Sequence, residues 1–242
     1  MSAAQAMRSI AHRGASAYAP ENTFAAFELA LEMGADAIET DLRQTADGEI
    51  VLLHDETVDR TTDGSGPVTD LTLAELRRLD AGSWFGERFA GERVPTLAET
   101  LDHFGHRTRL VLELKAPCEG AALNQVREWG LLPNVVFTSF DLGILERLVA
   151  EEPQAACGYL TAAVQDGLLE RLTQMGLSQV CPRAEIVGER LVARAHEAGL
   201  QVRAWGVRDE DTMQHLLDCG VDGMTVNWPD RLRSEIERRG LA

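Results

Sequence analysis

Eight short apolar runs alternate with amphipathic stretches along this chain, and that alternation restricts the fold to repeated βα units around a parallel sheet. The runs are residues 9–11, 37–41, 110–114, 135–138, 155–159, 179–181, 201–205 and 223–226. Helix candidates between them have readable ends: 23–33 closed by Gly34, 142–151 before Pro153, and 189–198 closed by Gly199. Eight such units in 242 residues, with 45% hydrophobic content to fill one core, predict an α/β fold, a TIM-type (β/α)8 barrel, for which about 250 residues is typical. The whole chain, 1–242, is expected to form a single barrel domain.

A ninth apolar run, 50–53, stands outside that count. Only the stretch 42–49 separates it from the second strand, too short for a parallel crossover, so it must return antiparallel. Asp47-Gly48 suggests a two-residue hairpin turn, which would set Asp41 opposite His54 on one face, their Cβ atoms about 4.5–5.5 Å apart. Residues 55–96 then break the βα rhythm with turn-forming Asp63-Gly64-Ser65-Gly66-Pro67, a short helix at 73–79 and the aromatic-bearing stretch 82–86. They are expected to form a small insertion after strand 2 that caps the barrel mouth, with the interrupted βα unit resuming its helix at 96–104.

The charged residues at strand ends point to chemistry. Alternation puts Glu39 and Asp41 on one face of their strand, and Glu113 and Lys115 on one face of theirs. Charged residues at the C-terminal ends of barrel strands build the site on that rim. An isolated E-x-D is more often neutralised by arginines, but Glu113 joins the pair here, and three crowded carboxylates suit a hard divalent cation, Ca²⁺ or Mg²⁺. His12 ends the first strand and His54 follows the hairpin; together they make an acid/base couple able to serve opposite faces of a reacting phosphorus. Arg13 and Lys115 would bind non-bridging oxygens, and Trp205 could stack on an apolar part of a substrate. Pro20-Glu21-Asn22-Thr23 reads as a helix start with Asn22 or Thr23 as cap. His103, His106, His196 and His215 are given no chemical role.

Charge narrows the partners. A formal net charge of -16 repels polyanions, so nucleic acid and acidic membrane surfaces are excluded as general partners, while a small anion in a local basic pocket is allowed. Lys115 is the only lysine among the 23 basic residues, placed where a compact ammonium group has a use that arginine's planar fork does not serve. Cys118, Cys157, Cys181 and Cys219 lack zinc-site spacing and read as reduced thiols. With no apolar leader in residues 1–10 and no long apolar run, the chain is expected to have no membrane span and to be cytoplasmic.

Taken together, these residues resemble the glycerophosphodiester phosphodiesterase family, in particular its short bacterial cytosolic form. The matching strings are Ile10-Ala11-His12-Arg13-Gly14, Pro20-Glu21-Asn22-Thr23, Glu39-Thr40-Asp41, His54-Asp55 with Asp59-Arg60-Thr61-Thr62, Leu112-Glu113-Leu114-Lys115 and Ser139-Phe140. Residues 71–97, with Leu79-Asp80-Ala81-Gly82-Ser83-Trp84, resemble the family's insertion. The resemblance spans essentially the whole chain. It implies metal-dependent hydrolysis of small glycerophosphodiesters to glycerol 3-phosphate and an alcohol, with Glu39, Asp41 and Glu113 on the cation, His12 and His54 as acid and base, and Arg13 and Lys115 on phosphate. It also implies an internal glycerol hydroxyl as nucleophile and a cyclic phosphate intermediate. The chain departs from the family pattern at Gly206 and Arg208, where threonine and asparagine are usual, and at Val226-Asn227, where a Thr-Asp pair is usual. Two rival readings stand beside this one: a phospholipase D-like activity on lysophospholipids, hinted at by Trp84, Phe85 and Phe89, and a non-catalytic phosphodiester-binding protein, which would not need two proton-transfer groups. The alcohol preference, the oligomeric state and the division of labour between the histidines are open at this level.

Overall fold

The computed structural model describes residues 7–241; the expectation for the N-terminal stretch lies, for residues 1–6, outside the described residues. The described residues form nine strands: β1 (Arg8–His12), β2 (Ala37–Gln44), β3 (Ile50–Leu52), β4 (Arg109–Leu114), β5 (Val135–Ser139), β6 (Ala156–Thr161), β7 (Gln179–Pro182), β8 (Gln201–Ala204) and β9 (Gly223–Val226). Eight of them run parallel in the ring order β1-β2-β4-β5-β6-β7-β8-β9, which closes because β1 pairs with both β2 and β9. This is the TIM barrel, with each expected barrel strand in place.

Alternation sorts the side chains. On β4, Leu110, Leu112 and Leu114 face outward into the large core between barrel and helices, whereas Val111 joins Ile10, Ala37 and Val136 in a small apolar layer inside the barrel. Around the ring lie α1 (Phe24–Glu32), α3 (Leu97–Phe104), α4 (Glu119–Glu128), α5 (Leu142–Glu151), α6 (Leu168–Gln174), α7 (Glu189–Glu197), α8 (Glu210–Cys219) and α9 (Pro229–Arg239), with a one-turn helix, α2 (Leu73–Leu76), in the segment after β3. Their ends follow local chemistry. Thr23 caps α1, and Thr96 with Glu99 forms a reciprocal capping box on α3. No helix among the described residues is long and apolar enough to cross a membrane.

The hairpin register differs from the sequence expectation. Leu42 pairs with Leu52, Arg43 with Val51 and Gln44 with Ile50, one residue off the register that a two-residue turn would set. A two-residue type I′ turn needs positive φ at both central residues, and in this turn only Gly48 has it (φ +87). The chain therefore turns over three residues, 46–48, with Thr45 N donating to Glu49 O at 2.9 Å. Asp41 ends up across from Leu53, whose N–H donates to the Asp41 carbonyl at 3.0 Å, and not from His54. The slip reverses which side chains face outward. Leu53 and Val51 enter a separate apolar cluster with Val58, Val68, Leu76, Ala81 and Val94, the core beneath the segment that follows β3. The helix expected at 73–79 stops at Leu76.

Candidate active site

The first strand ends in a sharp turn. Arg13 and Gly14 both adopt left-handed backbone (φ +57 and +83), a conformation that costs a non-glycine residue about 1–2 kcal/mol. A Cβ on Gly14 would lie 2.6 Å from the Ala26 backbone, so only glycine lets the start of α1 approach β1 this closely. The turn aims Arg13 inward. Its Nε lies 3.0 Å from Asp41 Oδ2, its Nη1 donates to Glu21 Oε1 at 2.8 Å, and its backbone N–H donates to Glu39 Oε2 at 3.1 Å.

Parallel pairing of β2 and β4 sets Asp41 beside Glu113, and one oxygen from each of Glu39, Asp41 and Glu113 lies within 4.8 Å of the others. All three are buried. Lys115 Nζ sits 2.7 Å from Glu113 Oε1 and 3.2 Å from Asp41 Oδ1. Asn22, itself left-handed at φ +56, donates from Nδ2 to Asp41 Oδ2 at 3.0 Å and accepts from Thr40 Oγ1 at 2.7 Å. Asn22 is thus no helix cap, a role taken by Thr23; it holds a carboxylate in place.

The electrostatics of these three carboxylates are dominated by burial and by neighbouring charges. Burial, then the charges of Asp41 and Glu113, push Glu39 well above the usual carboxylate range. Burial and Asp41 raise Glu113 as well. Burial works against ionised Asp41 too, but Arg13, Lys115 and His54 outweigh it and hold this group below its ordinary value. Asp41 Oδ1 is buried and makes no hydrogen bond, meeting only the Lys115 ammonium at 3.2 Å. Three convergent hard oxygen donors, two of them disfavoured as anions by burial and mutual repulsion, fit a divalent cation such as Ca²⁺ or Mg²⁺.

His12 Nδ1 lies 2.6 Å from Asn227 Oδ1 at the end of β9. Burial, then the adjacent Arg13, lowers His12 to about 4. His54 is lowered by burial too, against the opposing pull of Asp41. Its carbonyl is clamped by Arg43 Nε and Nη2 at 2.9 and 2.8 Å, and its Nδ1 meets Asp55 Oδ1 at 2.7 Å. From there a chain of charges runs back to the carboxylates: Asp55 to Arg60 at 2.6 Å, Arg60 to Glu21 at 2.8 Å, Glu21 to Arg13, and Arg13 to Asp41. His54 therefore reaches the site through the segment after β3, not through the hairpin pairing.

One cavity of about 440 Å³ gathers His12, Arg13, Glu39, His54, Glu113 and Lys115 on one side and Trp205 on the other. Asp41 lies behind this wall, fully buried. Trp205 is fixed, its Nε1 donating to the Cys181 carbonyl at 3.0 Å and its ring edge-on to Phe140. His103, His196 and His215 bond instead to Glu28, Asp222 and the Val187 carbonyl, away from the cavity. Sequence reasoning missed Glu21, Asp55, Arg60 and the role of Asn22. The clue for Asn22 was its type, since asparagine tolerates left-handed backbone where most residues do not; nothing in the spacing ties Arg60 to Glu21.

A family model described as the glycerophosphoryl diester phosphodiesterase family matches residues 12–231. A putative glycerophosphodiester phosphodiesterase of Bacillus subtilis, YhdW, is 38% identical over 230 residues, covering 91% of this chain and 94% of that protein. A glycerophosphodiester phosphodiesterase of Caldanaerobacter subterraneus is 37% identical over 241 residues, covering 96% and 98%. Among solved structures, an Oleispira antarctica phosphodiesterase in complex with the product sn-glycerol-3-phosphate superposes with a TM-score of 0.88 at 32% identity, covering 96% of this chain and 97% of that one.

Proposed function

The chain belongs to the glycerophosphoryl diester phosphodiesterase family, and on that premise we propose that it hydrolyses glycerophosphodiesters to glycerol 3-phosphate and an alcohol. The observation that carries the reading is the convergence of two histidines, two cations and the carboxylates Glu39 and Glu113 on one cavity at the C-terminal mouth of the barrel, with Asp41 clustered behind them. Glu39, Asp41 and Glu113 would hold the divalent cation, which when bound supplies Lewis-acid neutralisation of a phosphodiester oxygen. Arg13 and Lys115 now pair with these carboxylates. With the carboxylates holding a cation, the N–H groups of Arg13 and Lys115 would be free to bind the non-bridging oxygens.

The histidines divide the proton work. With the Asn227 amide oxygen as acceptor, His12 Nδ1 carries the proton and Nε2 keeps its lone pair, so neutral His12 is the base that activates the attacking hydroxyl. His54 has a carboxylate behind it, Asp55, and so holds a proton more readily as a substrate anion enters; it is the acid for the leaving alcohol, and once deprotonated it takes the proton of the water that opens the cyclic phosphate, while His12 returns its proton to the glycerol oxygen. Residues 55–96 serve as the cap of a single barrel domain, and through Asp55 and Arg60 they tie His54 to the cation-binding side of the cavity.

The test is release of glycerol 3-phosphate from a panel of glycerophosphodiesters, with lysophosphatidylcholine in parallel and Mg²⁺ or Ca²⁺ supplied. Release from the diesters is expected. Turnover of the lysolipid alone would favour a lysophospholipase D, and binding without turnover would leave a phosphodiester-binding protein.

A further inference from the structure

The cavity holds a cation that the phosphodiester chemistry does not use. Arg203, on β8, faces the barrel interior, is only 5% exposed, and has no carboxylate in ion-pair distance among the described residues. Its Nη1 donates to Thr225 Oγ1 at 2.6 Å, while Nε and Nη2 are buried with no hydrogen-bond partner. Those two nitrogens form the side edge of the guanidinium, whose parallel N–H bonds match both oxygens of a carboxylate or phosphate. The Cys181 thiol approaches the guanidinium, but burial pushes it above its ordinary value and it is only a weak acceptor. Thr138, which lines the same cavity, is fully buried, with its hydroxyl also unpaired. Arg208, exposed at the mouth, adds a further cation outside any ion pair among the described residues.

Position decides what the edge meets. In the eight-strand ring β8 lies directly across from β4, which carries Glu113 and leads to Lys115. A phosphodiester held at Arg13 and Lys115 can reach Arg203 only with one of its two arms. The glycerol arm bears no charge, whereas a desolvated guanidinium is stabilised by an anion. We infer that Arg203 is a specificity residue whose free edge takes an oxyanion on the alcohol half of the substrate, so that this site prefers glycerophosphodiesters of acidic alcohols. The inference rests on the phosphodiesterase reading above.

A matched pair of probes tests it. Glycerophosphoserine is glycerophosphoethanolamine plus one carboxylate. The kcat/KM ratio of the first to the second is expected to be about tenfold or more in the wild type, the worth of one charge-assisted bidentate contact. In Arg203→Gln the ratio should fall toward one, and in Arg203→Lys it should fall less. A third probe, a glycerophosphodiester whose alcohol carries a phosphate, separates carboxylate from phosphate as the favoured oxyanion. A wild-type ratio at or below one for both acidic probes overturns the inference, as does an equal loss on all probes in Arg203→Gln, which would mean that the edge holds the glycerol or the reacting phosphate. If no probe yields glycerol 3-phosphate, the phosphodiesterase reading itself has failed. Calorimetric binding of the same probes to wild type and Arg203→Gln then decides the subsite, with binding unaffected by the carboxylate counting against it.

Discussion

Asn22 and Asn227 each hold one working group by a single amide. Asn22 bridges Thr40 and Asp41 and so fixes the innermost carboxylate; Asn227 fixes the His12 ring. Exchanging Asn227 for aspartate puts a charge where a neutral acceptor stood, and the sign of the effect follows. A carboxylate raises His12 from about 4, the base form is then lost at higher pH, and the acidic limb of the kcat/KM profile should move upward in pH. An unmoved limb in Asn227→Asp would remove His12 from the role of base. His54→Ala should lower kcat by about 10²–10⁴-fold, the usual worth of a positioned proton-transfer group, and near-normal turnover would sink its assignment. All eight candidate site residues could be picked out from the chain, because histidine, carboxylate and lone lysine at strand ends are chemically conspicuous. Arg203 could not, since a buried arginine inside a barrel strand carries no sign in sequence that its edge is free.

At the scale of elements, the eight barrel strands were legible because strands buried on both faces read as apolar runs with helices between them. The hairpin register was not. It depended on whether Asp47 would take positive φ, and the structure instead uses the Asp47 carboxylate to accept from Thr45 Oγ1 at 2.6 Å and from the Leu73 backbone N–H at 3.0 Å, anchoring the start of α2. The local sequence cannot reveal a partner that lies 26 residues ahead. Capping was more transparent. Thr96 and Glu99 satisfy each other's backbone at the start of α3, so Thr96→Ala should cost about 1 kcal/mol of stability in denaturant unfolding. A loss below a few tenths of a kcal/mol would show that the cap is redundant with the packing of Leu97, Leu101 and Phe104.

The whole molecule sets its charges against one another. A chain of net charge -16 gathers Arg13, Lys115, Arg203 and Arg208 around one cavity, beside a cluster of three buried carboxylates. A cation that binds only the folded state should stabilise it, by about 2.7 kcal/mol at a concentration 100 times its Kd, and raise the melting temperature. Asp41→Asn should lose that increment. The central claim, that this cavity cleaves glycerophosphodiesters with a cation held by Glu39, Asp41 and Glu113, is tested most directly by glycerol 3-phosphate release from chelator-stripped protein before and after Mg²⁺ or Ca²⁺ is restored. The account predicts no release without cation and recovery with it; a full rate from metal-free protein would contradict it.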